Sequence, residues 1–551
     1  MTTKKITVFP ARKIITMEPG RPEAEAIAVL DGRVLSTGTL ESMQPWLSQH
    51  DVRIDETLKD KVILPGFIEP HSHCWMSAGL LALNFIGPLQ WPGPNGMNPP
   101  LGSFNDIIKH LNKLHQEEED LTRPIIAWGY DRAKQGGAPD RDTLDKISRE
   151  RPIFLISWAP HFVYLNSPAL ALAKVPEDHK HVHIHRYPDG RLNGVLSEVA
   201  GVQMGLAPVI AEISRNSGVK GLNFMANIAK RAGVTTIADL IFGCIDYEKE
   251  LQDHKEATRD ESFPVRMRLT PHGATLIRAH GDNAARFARD LSQHDTDKLY
   301  FRGVKFLNDG SFPLMGARVN FPGYLDGSNG LPGDHDLINI MMPYWEEGLQ
   351  LHCHANGDEA VDGTLDALAQ LQATLPRFDH RFTVEHYAIS NPMQARRLKA
   401  LGGIASVNNY FSHFRSLLHR NHAYGPDRSD CVARLGSLER EGVTFALHSD
   451  YPQVVVPMHP LTAVYAAVNR IAEDGETVIA PGERIGLDRA LRAVTIDAAY
   501  ILGLEDKIGS LEQGKFADFC VLEEDPYEVD PKQLKEIPVW GTALSGKLFE
   551  A

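Results

Sequence analysis

Two histidines, His71 and His73, stand one residue apart after an apolar run, Val62-Ile63-Leu64-Pro65-Gly66-Phe67-Ile68-Glu69-Pro70. Residues i and i+2 of an extended segment point the same way, so the pair forms a pincer for a transition metal. An isolated His-x-His is more often two ordinary strand-end histidines. Here, further ligand-type residues recur at the ends of later apolar runs. Lys305 lies in Gly303-Val304-Lys305-Phe306-Leu307, and His352 and His354 in His352-Cys353-His354-Ala355-Asn356-Gly357-Asp358. Glu385-His386 and His448-Ser449-Asp450 complete the series. Neutral imidazole binds zinc well, and a carboxylate can bind metal or take a proton from metal-activated water. A lysine inside an apolar strand is costly as a bare charge. It could snorkel, pair with an acid, or react with carbon dioxide to give a carbamate able to bridge two metals.

Residues so far apart in sequence meet only on a regular scaffold. Eight strand-like runs alternate with helical stretches: 62–68, 233–240, 264–270, 301–307, 349–355, 381–387, 402–408 and 443–450. That alternation predicts an α/β fold with a parallel sheet, and eight strands predict a (β/α)8 TIM barrel. Such barrels place catalytic groups at the C-terminal ends of their strands, where the candidate ligands fall. The long segment at about 80–225 reads as an insertion over the barrel mouth. It carries a turn-rich loop, Trp91-Pro92-Gly93-Pro94-Asn95-Gly96, and a histidine-rich stretch, His179 to His185, that reads as a solvated loop. Short strands at both ends, with a hairpin signal at Asp31-Gly32, predict a small β-sandwich assembled from both chain termini. The expected domains are residues 1–62 with 500–551 for the sandwich, and 63–499 for the barrel.

The chain has 551 residues, too many for one compact core. With 43% apolar and 23% charged residues and a formal net charge of −14, it argues against a nucleic-acid partner. No run approaches the roughly 18 uninterrupted apolar residues of a membrane span, so no membrane association is expected. The N-terminus lacks the apolar core of a signal peptide. Five cysteines, Cys74, Cys244, Cys353, Cys431 and Cys520, are scattered and odd in number; a reducing cytoplasm is the simplest reading. The absence of Gly-x-Gly-x-x-Gly after the first long strand disfavours a Rossmann dehydrogenase.

The motifs together resemble the amidohydrolase superfamily, specifically the amidohydrolase-3 branch that includes N-substituted formamide deformylases. Pro65 to His73 is similar to the family's first-strand motif. Trp128-Gly129-Tyr130-Asp131, His161 with Asn166-Ser167-Pro168-Ala169-Leu170, and Gly194-Val195-Leu196-Ser197-Glu198 resemble branch motifs of the insertion. Lys305 with Asp309-Gly310, His354-Ala355-Asn356-Gly357-Asp358 and Glu385-His386 follow in family order, and Gly509 to Phe519 resembles the family's return to the sandwich. The resemblance implies that His71 and His73 bind the more buried metal, that a carboxylated Lys305 bridges two metals, and that His354 and His386 bind the second. It also implies that Asp450 touches metal and serves as general base and acid. His352 is the poorer ligand of its pair. Two departures stand out: His448 replaces the usual glycine, and Asn356, expected to pack, replaces an aliphatic residue.

These readings predict a metal-dependent hydrolase that cleaves an amide or related C–N bond of an N-acyl or N-formyl small molecule, with one or two Zn2+ per chain and two favoured. Water activated by the metal would lose its proton to Asp450 and attack the carbonyl, with His161 orienting the carbonyl or stabilising the oxyanion. Trp75, Trp91, Trp128, Trp158, Tyr410, Phe411 and His448 are the substrate-wall candidates. The alternatives are C–C, lactone or deamination chemistry at the same metals, or a noncatalytic binding or regulatory protein on this fold. The family suggests a homodimer.

Overall fold

The computed structural model describes residues 5–333, 336–429, 432–453 and 457–551, so Cys431 falls outside the described residues. Two parallel sheets carry the site. β1 (Phe67–Ser72), β2 (Val234–Phe242), β3 (Arg266–Pro271) and β4 (Leu299–Phe301) form the first. β5 (Val304–Leu307), β6 (Leu351–Ala355), β7 (Thr383–His386), β8 (Ile404–Val407) and β9 (Phe445–Leu447) form the second. Their residues are almost all buried, as parallel strands covered on both faces must be. A parallel bridge between His272 and Lys305 joins the sheets on one side. On the other, the Asp450 N–H donates to the His71 carbonyl at 3.1 Å. The result is a TIM-barrel-like α/β ring.

Three expected strands differ in detail. The first run splits at Gly66, where a Cβ would lie 2.0 Å from Thr235 Oγ1. Val62–Pro65 leaves the ring and pairs antiparallel with Phe519–Leu522, while β1 pairs with β2. The fourth run splits at Gly303, whose φ of +68° only glycine adopts readily. The eighth ends at Leu447, leaving His448 to Asp450 on the loop that follows.

Both ends of the chain build one eight-stranded sheet. Lys5–Ile15, Glu23–Leu30, Arg33–Gly38, Asp51–Ile54 and Val62–Pro65 come from the front, and Phe519–Leu522, Val539–Leu544 and Lys547–Glu550 from the back. The period-two alternation of its strands puts Phe9, Ile27 and Phe519 in one apolar cluster and Ile6, Val8 and Ala28 in another. Hydrogen bonding runs through all eight strands, so this is one sheet with two apolar faces rather than two separately bonded layers. Asp518 fixes the sheet to the ring. Its carboxylate accepts from Arg266 Nε at 2.5 Å and Nη2 at 2.9 Å, and both side chains are buried.

Between β1 and β2 in sequence lies a further, six-stranded sheet containing Ile125–Tyr130, Ile153–Ser157 and Phe162–Leu165. Three helices near the ring mouth matter for the site: α1 (Cys74–Leu81), α2 (Glu198–Leu206) and α3 (Ile210–Arg231), the last kinked at Gly218. The histidine-rich stretch is not uniformly solvated. His181 is exposed, but His183 is buried, and His185 sits on a short strand with Nε2 2.8 Å from Ser197 Oγ.

Candidate metal centre and its cavity

His71 is the last residue but one of β1, and His73 caps the start of α1. His71 Nδ1 lies 2.6 Å from Glu385 Oε2, which leaves Nε2 for the interior. That nitrogen is 3.4 Å from Lys305 Nζ and 3.7 Å from Asp450 Oδ1. Asp450 Oδ1 is in turn 3.2 Å from His73 Nε2. The His386 ring lies 4.6 Å from His71 and 4.4 Å from His354, centroid to centroid. His354 Nε2 is engaged by Asn356 Nδ2 at 2.9 Å and Asp309 Oδ1 at 3.3 Å, so Nδ1 is the nitrogen it can offer a metal. Asn356, expected only to pack, also donates from Nδ2 to the Gly310 carbonyl at 3.0 Å.

Consecutive residues of a strand face opposite ways, yet Glu385 and His386 both serve this interior. The backbone turns left-handed at His386 (φ +71°) and Tyr387 (φ +46°). Asp450 (φ +58°) and Glu198 (φ +53°) are also left-handed. Each such residue costs about 1–3 kcal/mol and persists only where surrounding contacts enforce it. Glu69 supplies one such enforcement: its carboxylate accepts from Ser449 N at 3.1 Å, Ser449 Oγ at 2.5 Å and His71 N at 3.3 Å. It therefore holds the His71 and Asp450 backbones together.

A buried polar chain lies behind the ligands. Glu385 Oε1 is 2.6 Å from His352 Nδ1, and His352 Nε2 is 3.1 Å from Arg268 Nη2. Both nitrogens of His352 are occupied, which excludes it as a ligand. Burial alone would raise the pKa of Glu385, but the His352 hydrogen bond and nearby Lys305 hold it at about 2. Burial lowers Lys305, partly opposed by Glu385 and Asp450. Burial takes His448 down to about 4 against the same two carboxylates.

His448 stacks on His71 at 4.5 Å and lies 5.0 Å from His386. Expected in the substrate wall, it does not line the cavity and instead joins His71 and His386 in a group that could hold a metal ion. The atoms present fit a metal. His71, His73 and Asp450 form one trio whose ligand atoms lie within 4.8 Å of one another, and His71, His386 and His448 form another. Asp450 Oδ1 and both ring nitrogens of His448 are buried without a hydrogen-bond partner. A buried set of imidazole and carboxylate donors suits a divalent transition metal.

A cavity of about 130 Å³ opens on this cluster, with His161, Lys305 and Gln453 in its wall. His161 Nδ1 is 2.7 Å from Glu198 Oε2. Burial lowers His161, but Glu198, with Asp450 and Asp309, more than offsets it and the net shift is upward. The tryptophans expected to line the cavity do not. Trp75 Nε1 donates to Asp253 at 2.7 Å, Trp128 Nε1 to the Trp158 carbonyl at 3.0 Å, and Trp91 stacks on Tyr451 at 5.4 Å. Trp158, Tyr410 and Phe411 are likewise buried away from it. Large aromatics in a chain of this size are mostly core.

The profile of the amidohydrolase family matches residues 57–549. The chain belongs to the amidohydrolase family. Within it, the chain is 29% identical to the protein LONG AFTER FAR-RED 3 of Arabidopsis thaliana, over 97% of this chain and 90% of that one. It is 24% identical to an N-substituted formamide deformylase of Arthrobacter pascens, over 100% and 99% of the two chains. An uncharacterised metal-dependent hydrolase from Pyrococcus horikoshii shares the fold with a TM-score of 0.71 and 20% identity, over 96% of this chain and 99% of that one.

Glu198, Glu385, Glu69 and Arg268 carry weight in the site that the sequence did not assign them. Glu385 and Glu198 had a signal, since each lies inside a family-like motif. For Glu69 and Arg268, buried charge in an apolar strand was the only cue.

Proposed function

We propose that this chain is a metal-dependent hydrolase of amide or related C–N bonds in small molecules. What carries the reading is the position of Asp450: its Oδ1 lies within 3.7 Å of Nε2 of both His71 and His73, on the wall of the cavity. His71, His73, Lys305, His354, His386 and Asp450 would hold Zn2+, two ions being the favoured count. Bound there, the metal would polarise the substrate carbonyl and acidify water. The lowered pKa of Lys305 favours the free amine, the form that reacts with carbon dioxide to give a carbamate.

Asp450 takes the proton from the attacking water and returns it to the leaving nitrogen. Glu198 accepts from His161 Nδ1 and favours the imidazolium, whose Nε2–H donates a hydrogen bond to the carbonyl oxygen as negative charge develops there. Glu385 holds His71 with Nε2 inward.

The test is metal content by elemental mass spectrometry on wild type and Lys305→Ala prepared identically, followed by a screen of N-acyl and N-formyl amines. About two zinc per chain, falling sharply in the variant, supports the carbamate-bridged site; about one in both removes Lys305 from it. Absence of metal even after adding zinc overturns the hydrolase reading. Turnover of lactones or C–C substrates but not amides moves the chemistry to another bond.

A further inference from the structure

The cavity extends from the ligand cluster into a chamber with an aliphatic wall. Three helices each contribute one pair of side chains at the spacing that puts both on one face. They are Met76 and Leu80 on α1, Val202 and Leu206 on α2, and Ile210 and Ile213 on α3. Outside the ligand cluster and His161, the described lining residues include neither a charged side chain nor an aromatic ring. Gln203 and Cys244, both half-buried, are its polar members besides Gln453, with Gln203 Nε2 3.5 Å from Cys244 Sγ.

The placement of the wall is informative. α1 follows β1, and α3 leads into β2, so the chamber lies on the His71 and His73 side of the cluster. α2 begins at Glu198, the partner of His161, and Val202 and Leu206 follow at i+4 and i+8. One helix face therefore sets His161 over the reacting carbonyl and presents aliphatic groups to whatever is attached to it. A charged substituent there would be desolvated with nothing to pair with. An apolar one gains about 0.8 kcal/mol for each methylene buried.

We propose that this chamber binds an aliphatic substituent of the substrate and excludes charged ones. The proposal rests on the hydrolase reading for its chemistry and for the first of its two tests, but not for the second. Two homologous series are compared: straight-chain N-acyl derivatives of one amine, and N-alkylformamides. In the series whose chain enters the chamber, kcat/KM should rise about fourfold per methylene over the first few carbons, and a terminal carboxylate should abolish the gain. The responding series tells whether the acyl or the amine side is held. Dependence that is flat in both, or preference for the carboxylate, overturns the proposal.

A second measurement needs no turnover. Alkylation of Cys244 by N-ethylmaleimide, followed by peptide mass mapping of the whole protein, should slow severalfold in hexan-1-ol but not in hexane-1,6-diol. Leu206→Asp should lose that protection. Val202→Thr, which changes little volume, should weaken it if Leu206→Asp does not fold. Protection without hydrolysis of either series keeps the chamber and discards the amide reading. No protection in wild type discards the chamber.

Discussion

Glu385 Oε2 sits 2.6 Å from His71 Nδ1, and this contact decides which face of the imidazole a metal can meet. A carboxylate behind a metal-ligating histidine fixes its tautomer and raises its basicity. Its other oxygen holds His352, which is not a ligand, at the same distance and so fixes the Glu385 carboxylate itself. Glu385→Gln should weaken zinc retention about 10–100-fold, measured by competition with a chelator. Unchanged retention in a folded variant would remove Glu385 from this role.

Asp450→Asn should keep most of the metal, because the histidines remain, yet lower kcat about 10²–10⁴-fold through loss of the proton acceptor. Metal content and turnover measured on one preparation separate the two effects. Full activity would sink the assignment.

The Arg266–Asp518 pair predicts a stability effect far from the chemistry. Both groups are buried, so removing one partner strands the other charge. Asp518→Ala should cost about 3–5 kcal/mol, read as a lower denaturation midpoint, and should loosen the terminal sheet from the ring. A variant as stable as wild type would show that the sheet is held by its apolar contacts alone.

His419 gives a pH dependence independent of the metal. Burial, with Arg415 beside it, lowers its pKa to about 3. The unfolded chain therefore binds this proton near pH 6.5 while the folded one does not. Its contribution is intact above pH 6.5 and is lost as pH falls towards 3, about 2 kcal/mol by pH 5. His419→Leu should lose less thermal stability than wild type between pH 7 and 5. Equal losses would contradict it.

Much of this was legible in the sequence because ligand-type residues interrupt apolar runs, as at His71, Lys305 and His354. The pattern did not reveal where the chain changes sheet. Val62 to Ile68 reads as one strand, but Gly66 passes too close to Thr235 for any side chain and hands the chain from one sheet to another. Nor could a period of two place Glu385 and His386 together, since that depends on two left-handed residues. The aromatic candidates failed because ring size suggests a wall only when the wall is already known. The aliphatic pairs of α1, α2 and α3 look like ordinary core positions until those helices are seen around one cavity.

The seam where the Asp450 N–H meets the His71 carbonyl sets an order of events during synthesis. A growing chain exposes His71 and His73 long before Asp450 exists, and at ordinary elongation rates the gap is on the order of tens of seconds. The strand that anchors Val62–Pro65, Phe519–Leu522, emerges later still. Until then the first histidines stand on an unpaired strand edge, open to any stray cation or neighbouring chain. If these residues hold a metal as proposed, it would be held securely only once Asp450 has closed the ring, late in synthesis.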